Sequence, residues 1–147
     1  MYNLSDYFAN RKLFKLDNKG KSPAFFLKKK NYKLNKFAIK KLKEFSTNNN
    51  NINCRICLHQ SLSEKIHSML VLINNANKFD IHKHEHTPEF YQLINGKIKI
   101  TLYTKTKKKI KELILKNKGD IYSVSKNQFH NLVPLTKFAI FQETKNF

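Results

Sequence analysis

At 147 residues, with 40% hydrophobic and 12% aromatic side chains, the chain has the composition of one folded domain; it is too short for two and too apolar for a disordered tail. Its formal charge is +19, yet all but Arg11 and Arg55 of the 29 basic residues are lysine. Base and phosphate recognition favours the bidentate guanidinium fork, so the charge reads as a solvated lysine surface, and no specific nucleic-acid partner is expected.

The N-terminus, MYNLSDYFANRK, lacks the basic-then-apolar pattern of a secretory signal, and no apolar run in the chain is long enough to span a bilayer. A cytoplasmic protein with no membrane partner is the expectation. Residues 1–32 carry Tyr2, Tyr7, Phe8, Phe14, Phe25 and Phe26 among lysines, too many aromatics to leave free in water, so the segment should dock on the main body. Leu34, Phe37, Ala38, Ile39, Leu42 and Phe45 recur at helical spacing and predict one amphipathic helix over 34–45. The polar run 46–51 reads as a linker. The expected division is therefore an N-terminal extension over 1–50 and a main domain over 51–147.

After residue 51 the pattern is β throughout. Strands are predicted over 52–59, 67–73, 78–84, 89–94, 97–103, 110–115, 121–124, 130–133 and 138–142. Asn95-Gly96 between two alternating apolar runs is a strong hairpin signal. Short strands at this spacing with no helix between them make an antiparallel sandwich or barrel. Cys54 and Cys57 are a lone Cys-x-x-Cys; three apart on a strand they face opposite ways, so they are expected as separate buried thiols.

The chemistry-bearing pattern is His82-x-His84-x4-Glu89-x6-Gly96, answered downstream by Gly119-x10-His130. Two imidazoles two residues apart lie on one strand face, so a carboxylate from the next strand and a third imidazole can converge on one cation. Three neutral imidazoles and one carboxylate suit one divalent transition metal, Fe, Mn, Ni or Zn, whereas calcium would want more oxygens. His86, followed by Thr87-Pro88, belongs to the turn before Glu89 and is expected at the surface. Arg55, Cys57 and His59 share one face of their strand. That face points into the barrel mouth if Ile56 and Leu58 pack against the N-terminal segment, and to solvent if the strand is an edge. Tyr91 shares the face of Glu89, as a core residue or as a pocket wall.

These motifs resemble the two conserved motifs of the cupins, with His82, His84, Glu89 and Gly96 in register for the first and Gly119 and His130 for the second. Ala76 replaces the first motif's leading glycine, and Ser125, Asn127 and Pro134 stand where the second motif has proline, glycine and asparagine. The resemblance implies an all-β fold, a cupin double-stranded β-helix or jelly-roll barrel, here preceded by an N-terminal segment with one amphipathic helix. Within the cupins, Arg55-Ile-Cys-Leu-His59, His67-Ser-Met69 and the His82 motif resemble the WbuC type of cupin metalloprotein, over roughly residues 23–147. That likeness implies a small sugar-type or sugar-nucleotide ligand in lipopolysaccharide O-antigen assembly. A metal acting there as a Lewis acid would suit a metal-dependent isomerase or epimerase, with Arg55, His59 and Tyr91 as the candidate substrate-binding residues. An iron-dependent dioxygenase and a non-catalytic metal-dependent binding module are the alternatives; the expected assembly is a homodimer.

Overall fold

The aromatic-rich N-terminus cannot stay in water, and in the computed structural model, which describes residues 1–147, it becomes part of the sheet. After a single-turn helix α1 (Asp6–Ala9), strands β1 (Phe14–Asp17) and β2 (Ala24–Leu27) form an antiparallel hairpin with Phe14 opposite Leu27. Strand β2 then pairs in parallel with β3 (Cys54–Cys57), Ala24 opposite Arg55. All four β2 residues are buried because both faces of the strand are covered. Phe25 and Leu27 join Phe8, Phe14, Phe45, Cys54 and Ile56 in an outer core, whereas Ala24 and Phe26 join Cys57 on the inner face. Phe8 stacks on Phe25 with ring centroids 4.0 Å apart, and Phe45 meets Phe25 edge-on at 4.9 Å.

Helix α2 (Lys36–Asn48) closes this outer core with Ala38, Leu42 and Phe45. Asn35 caps it, Oδ1 accepting from the backbone N–H groups of Phe37 and Ala38. The helix runs three residues past the expected end and consumes half of the polar run read as a linker. Ser46 explains this: its side chain is buried and its hydroxyl donates to the Ile52 carbonyl at 2.7 Å. Asn50 and Asn51, at φ 61° and 58°, then turn the chain through the left-handed region that asparagine tolerates. Phe37 is 53% exposed, touching Tyr7 edge-on, so it lies on the outer side of the helix.

The remaining strands are β4 (Ile66–Asn74), β5 (Glu89–Asn95), β6 (Ile98–Tyr103), β7 (Lys109–Leu115), β8 (Ile121–Val124), β9 (Phe129–Pro134) and β10 (Phe138–Asn146). They form a seven-stranded sheet in the order β1-β2-β3-β4-β10-β5-β8 and a three-stranded sheet β7-β6-β9. Tyr91, Leu93, Ile98, Ile100, Leu132, Ala139 and Phe141 fill the space between the sheets. No helix is long and apolar enough to cross a membrane.

Three expectations change. Asn95-Gly96 does not make a hairpin: β5 pairs with β10 and β8, β6 pairs with β7 and β9, and the turn is a corner between the two sheets. Gly96 serves that corner at φ +82°, where an added Cβ would lie 2.5 Å from the Phe138 carbonyl oxygen. Residues 78–84 are not a strand; their only β-bridge is the one between His82 and His130. Strand β10 continues four residues beyond 142, pairing with β4 on one side and β5 on the other, which brings its polar end alongside Glu89.

Candidate metal centre

The loop that carries His82 and His84 lies outside the sheets, and backbone contacts hold it. His82 N–H donates to the His130 carbonyl at 2.9 Å and His130 N–H donates back at 2.8 Å. Asn127 N–H donates to the His84 carbonyl at 2.7 Å. Asn127 stands at φ 63°, so asparagine meets here the left-handed requirement that the cupin motif meets with glycine. The second motif therefore positions the first.

His82, His84 and Glu89 each bring one ligand atom within 4.8 Å of the others. His130, 1% exposed on β9, reaches the same carboxylate with Nε2 2.7 Å from Glu89 Oε2. His84 Nε2 lies 3.0 Å from the other oxygen, Oε1. The Nδ1 atoms of His82 and His130 sit 3.2 Å and 2.8 Å from the backbone carbonyls of Asp80 and Gln128. A carbonyl only accepts, so each Nδ1 carries a proton; on neutral His82 this leaves the Nε2 lone pair for the cluster, whereas His130 Nε2 faces the Glu89 carboxylate.

Glu89 is 2% exposed. Burial pushes its carboxyl up, but the nearby His130 and His84 imidazoles and the Lys145 ammonium overcome this and hold it well below the usual carboxylate range. Tyr91, two residues on, donates its hydroxyl to Glu89 Oε2 at 2.7 Å and lies 3.2 Å from His130 Nε2. Burial, and then the nearby carboxylates of Glu143 and Glu89, push the phenol well above its ordinary value. Tyr91 is thus both a core residue and a support for Glu89.

Two residues of the site were not expected from sequence. Lys145 Nζ lies 2.7 Å from Glu89 Oε1, 2.8 Å from Glu143 Oε1 and 3.3 Å from His84 Nε2. Although two nitrogens approach Glu89 Oε1 this closely, neither aligns with it as a hydrogen bond. Burial raises the Glu143 carboxyl against the opposing pull of Lys145, and the two carboxylates outweigh burial to raise the Lys145 ammonium. The signal for both was period-two alternation from Phe141 to Glu143 to Lys145, hidden because a polar Gln-Glu-Thr-Lys run reads as the end of a strand.

A cavity of about 790 Å³ opens over this cluster. His82, His84, Glu89, Tyr91, Glu143 and Lys145 line one part of it; Arg55, Cys57, His59 and His67 line another. Ile56 packs into the outer core, so the face bearing Arg55 and His59 turns inward; Leu58 stays partly exposed. The Arg55 guanidinium donates to Ser22 Oγ at 3.0 Å. His59 stacks on His67 with centroids 4.1 Å apart and planes 9° from parallel, with Nδ1 3.2 Å from the Ser68 carbonyl. Burial holds the His59 imidazole below its ordinary value. His67, read only as part of a motif, is a cavity wall because it alternates with Met69 and Val71 on β4. The cysteines are free and buried, Cys54 in the outer core and Cys57 on the cavity side, where burial pushes the thiol up to about 12 despite Arg55. His86 is exposed in the turn before Glu89.

A family model described as "Domain of unknown function (DUF6016)" matches residues 34–115, more than half of the chain. No curated protein matches it. Among solved structures the chain is similar to the Cnp3 cupin domain of Schizosaccharomyces pombe, with 12% identity over 64% of each chain and a TM-score of 0.52. It is also similar to an HTH_3 family transcriptional regulator from Vibrio cholerae, with 12% identity over 65% of this chain and 51% of that one, at a TM-score of 0.51. The cobalt(II) form of HppE in complex with substrate matches at 17% identity over 66% of this chain and 53% of that one, with a TM-score of 0.51. The chain thus spans about half to two thirds of the length of these structures, and the likeness shows a cupin fold.

Proposed function

The chain belongs to the DUF6016 family, and from its cupin fold and its converging imidazoles we propose that it is a metal-binding cupin taking a small carbohydrate-type molecule into the cavity. The observation that carries this reading is the His82, His84 and Glu89 cluster at the wall of a cavity large enough for a sugar-sized ligand. The donor set fits a metal. The Asp80 carbonyl leaves the Nε2 lone pair of His82 free, His130 Nε2 points at the Glu89 carboxylate, and Glu89 Oε1 is buried without an aligned hydrogen bond. His82, His84, Glu89 and His130 would hold one divalent transition metal, Fe, Mn, Ni or Zn. Such an ion supplies Lewis acidity toward a carbonyl or hydroxyl oxygen.

The chain's own residues then divide the work. Arg55 presents a planar fork to a phosphate or carboxylate of the ligand. His59, whose Nδ1–H donates to the Ser68 carbonyl, offers Nε2 as a proton acceptor on the cavity side. Tyr91 keeps its proton and orients Glu89. The WbuC-type resemblance narrows the ligand to a sugar or sugar nucleotide of O-antigen assembly; Lewis acidity beside a proton acceptor suits isomerisation or epimerisation, and a homodimer is the proposed assembly. The lysine surface plays no part in this, and tight sequence-selective nucleic-acid binding at physiological salt would overturn the reading.

The test is calorimetry with sugar nucleotides at physiological salt on wild type, Arg55→Lys and chelator-treated protein. Arg55→Lys retains the charge and loses the fork, so weaker binding is expected, and weaker binding again without metal. Equal affinity in all three removes both Arg55 and the metal from the ligand site.

A further inference from the structure

Lys145 and the metal proposed above need the same atoms. Its ammonium lies 2.7 Å from Glu89 Oε1 and 3.3 Å from His84 Nε2, and both are donors that a bound cation would take. A neutral imidazole nitrogen has one lone pair, so it cannot serve an ammonium and a metal together. A charged lysine this close would also repel a divalent ion through a largely buried, poorly screened space. Lys145 has somewhere else to go: Glu143 Oε1 lies 2.8 Å from Nζ, and Glu143 is not itself one of the four proposed ligands. The sheet fixes this arrangement, with Lys145 opposite Glu89 and Glu143 opposite Tyr91 in the β10–β5 register.

We propose that Lys145 is a built-in competitor for the metal centre, an internal cation that shares Glu89 and Glu143 and passes wholly to Glu143 when a divalent ion takes Glu89 and His84. Resting on the metal reading, this makes Glu143 the residue that sets how readily the site loads. Lys145 and Glu143 are positioning residues here, acting on metal affinity through Glu89.

The experiment titrates the full chain with Co(II), read by heat and by the visible absorption of the bound ion. Lys145→Met is expected to bind about tenfold tighter or more, because the competing charge is gone. Glu143→Gln is expected to bind more weakly, because Lys145 then has Glu89 as its only carboxylate. In the double variant the Glu143→Gln change should lose most of its effect, since Glu143 acts through Lys145. Lys145→Gln repeats the test if the methionine variant does not fold. Affinity in Lys145→Met equal to or weaker than wild type overturns the proposal, as does an equal loss from Glu143→Gln with and without Lys145. Wild type that binds Co(II) only when His84 is intact keeps the metal reading standing even then; no binding in wild type or in Lys145→Met overturns both.

Discussion

His82 and His130 exchange both of their backbone hydrogen bonds, at 2.9 and 2.8 Å, and this single bridge ties the loop of the first motif to strand β9. The tie uses no side-chain atom, so imidazoles can be removed while the loop stays in place. Wild type is expected to carry about one divalent first-row metal per chain. A His84→Ala, His130→Ala double variant should lose it, with affinity down by more than about 100-fold, since two ligands cannot fill the shell. Elemental analysis of untagged protein checks this; full occupancy in the double variant would refute it.

Tyr91→Phe removes the 2.7 Å hydrogen bond that orients Glu89 while keeping the ring in the core. Metal affinity should fall about tenfold to 100-fold, the usual effect of losing a group that supports a ligand. Folding stability should fall by only about 1 kcal/mol. Calorimetric affinity and a denaturant titration separate the two effects; an unchanged metal affinity would show that Tyr91 is packing alone.

A chain beginning at Asn50 is expected not to fold cooperatively. It would lack Phe8, Phe14, Phe25, Leu27, Leu42 and Phe45, all under 4% exposed, each contributing about 1.5–3 kcal/mol by burial. Together these exceed the net stability of a typical domain, and Cys54, Ile56 and Leu72 would be uncovered. A monodisperse shortened chain with an unchanged melting temperature would show that the extension is dispensable.

Gly96→Ala should destabilise the barrel by about 2 kcal/mol or more, from a left-handed backbone at φ +82° and a Cβ 2.5 Å from a carbonyl oxygen. Gly119→Ala shares the positive φ but meets nothing within 4 Å, so it should cost less. Equal losses in the two variants would mean that the corner at Gly96 gives way freely.

Acidification should destabilise the fold through His59. Burial lowers its pKa from 6.5, so the unfolded chain takes up the proton first. The contribution to stability is full above 6.5 and is lost as pH falls from there toward the lower folded value. The melting temperature of wild type, compared with His59→Gln between pH 8 and 5.5, should show the larger decline on the acid side in wild type. Parallel profiles would remove His59 as the cause.

The cluster was legible because its spacing is local at each end: a single residue separates His82 from His84, which keeps both imidazoles on one loop, and Gly96 and Gly119 mark turns that other residues resist. The lining of Arg55 and His59 followed from alternation once Ile56 was buried. Glu143 and Lys145 were not legible, because nothing in a polar run says that a strand continues until two neighbours, β4 and β5, are there to receive its backbone hydrogen bonds. The same holds for β1 and β2, a short hairpin that joins the sheet only because β2 pairs with β3, about 30 residues further along the chain.

By itself, then, the sequence determined which residue types could meet, through the period of two along strands, the period of helix α2 and the spacing of histidines, all set by backbone geometry within a few residues. Only the tertiary structure decided which of them do. The Asn95-Gly96 turn suits a hairpin or a corner equally well, and the close approach of the Phe138 carbonyl made it a corner. Whether Lys145 faces solvent or Glu89 was likewise settled by register across β10 and β5, a long-range pairing that no local pattern encodes.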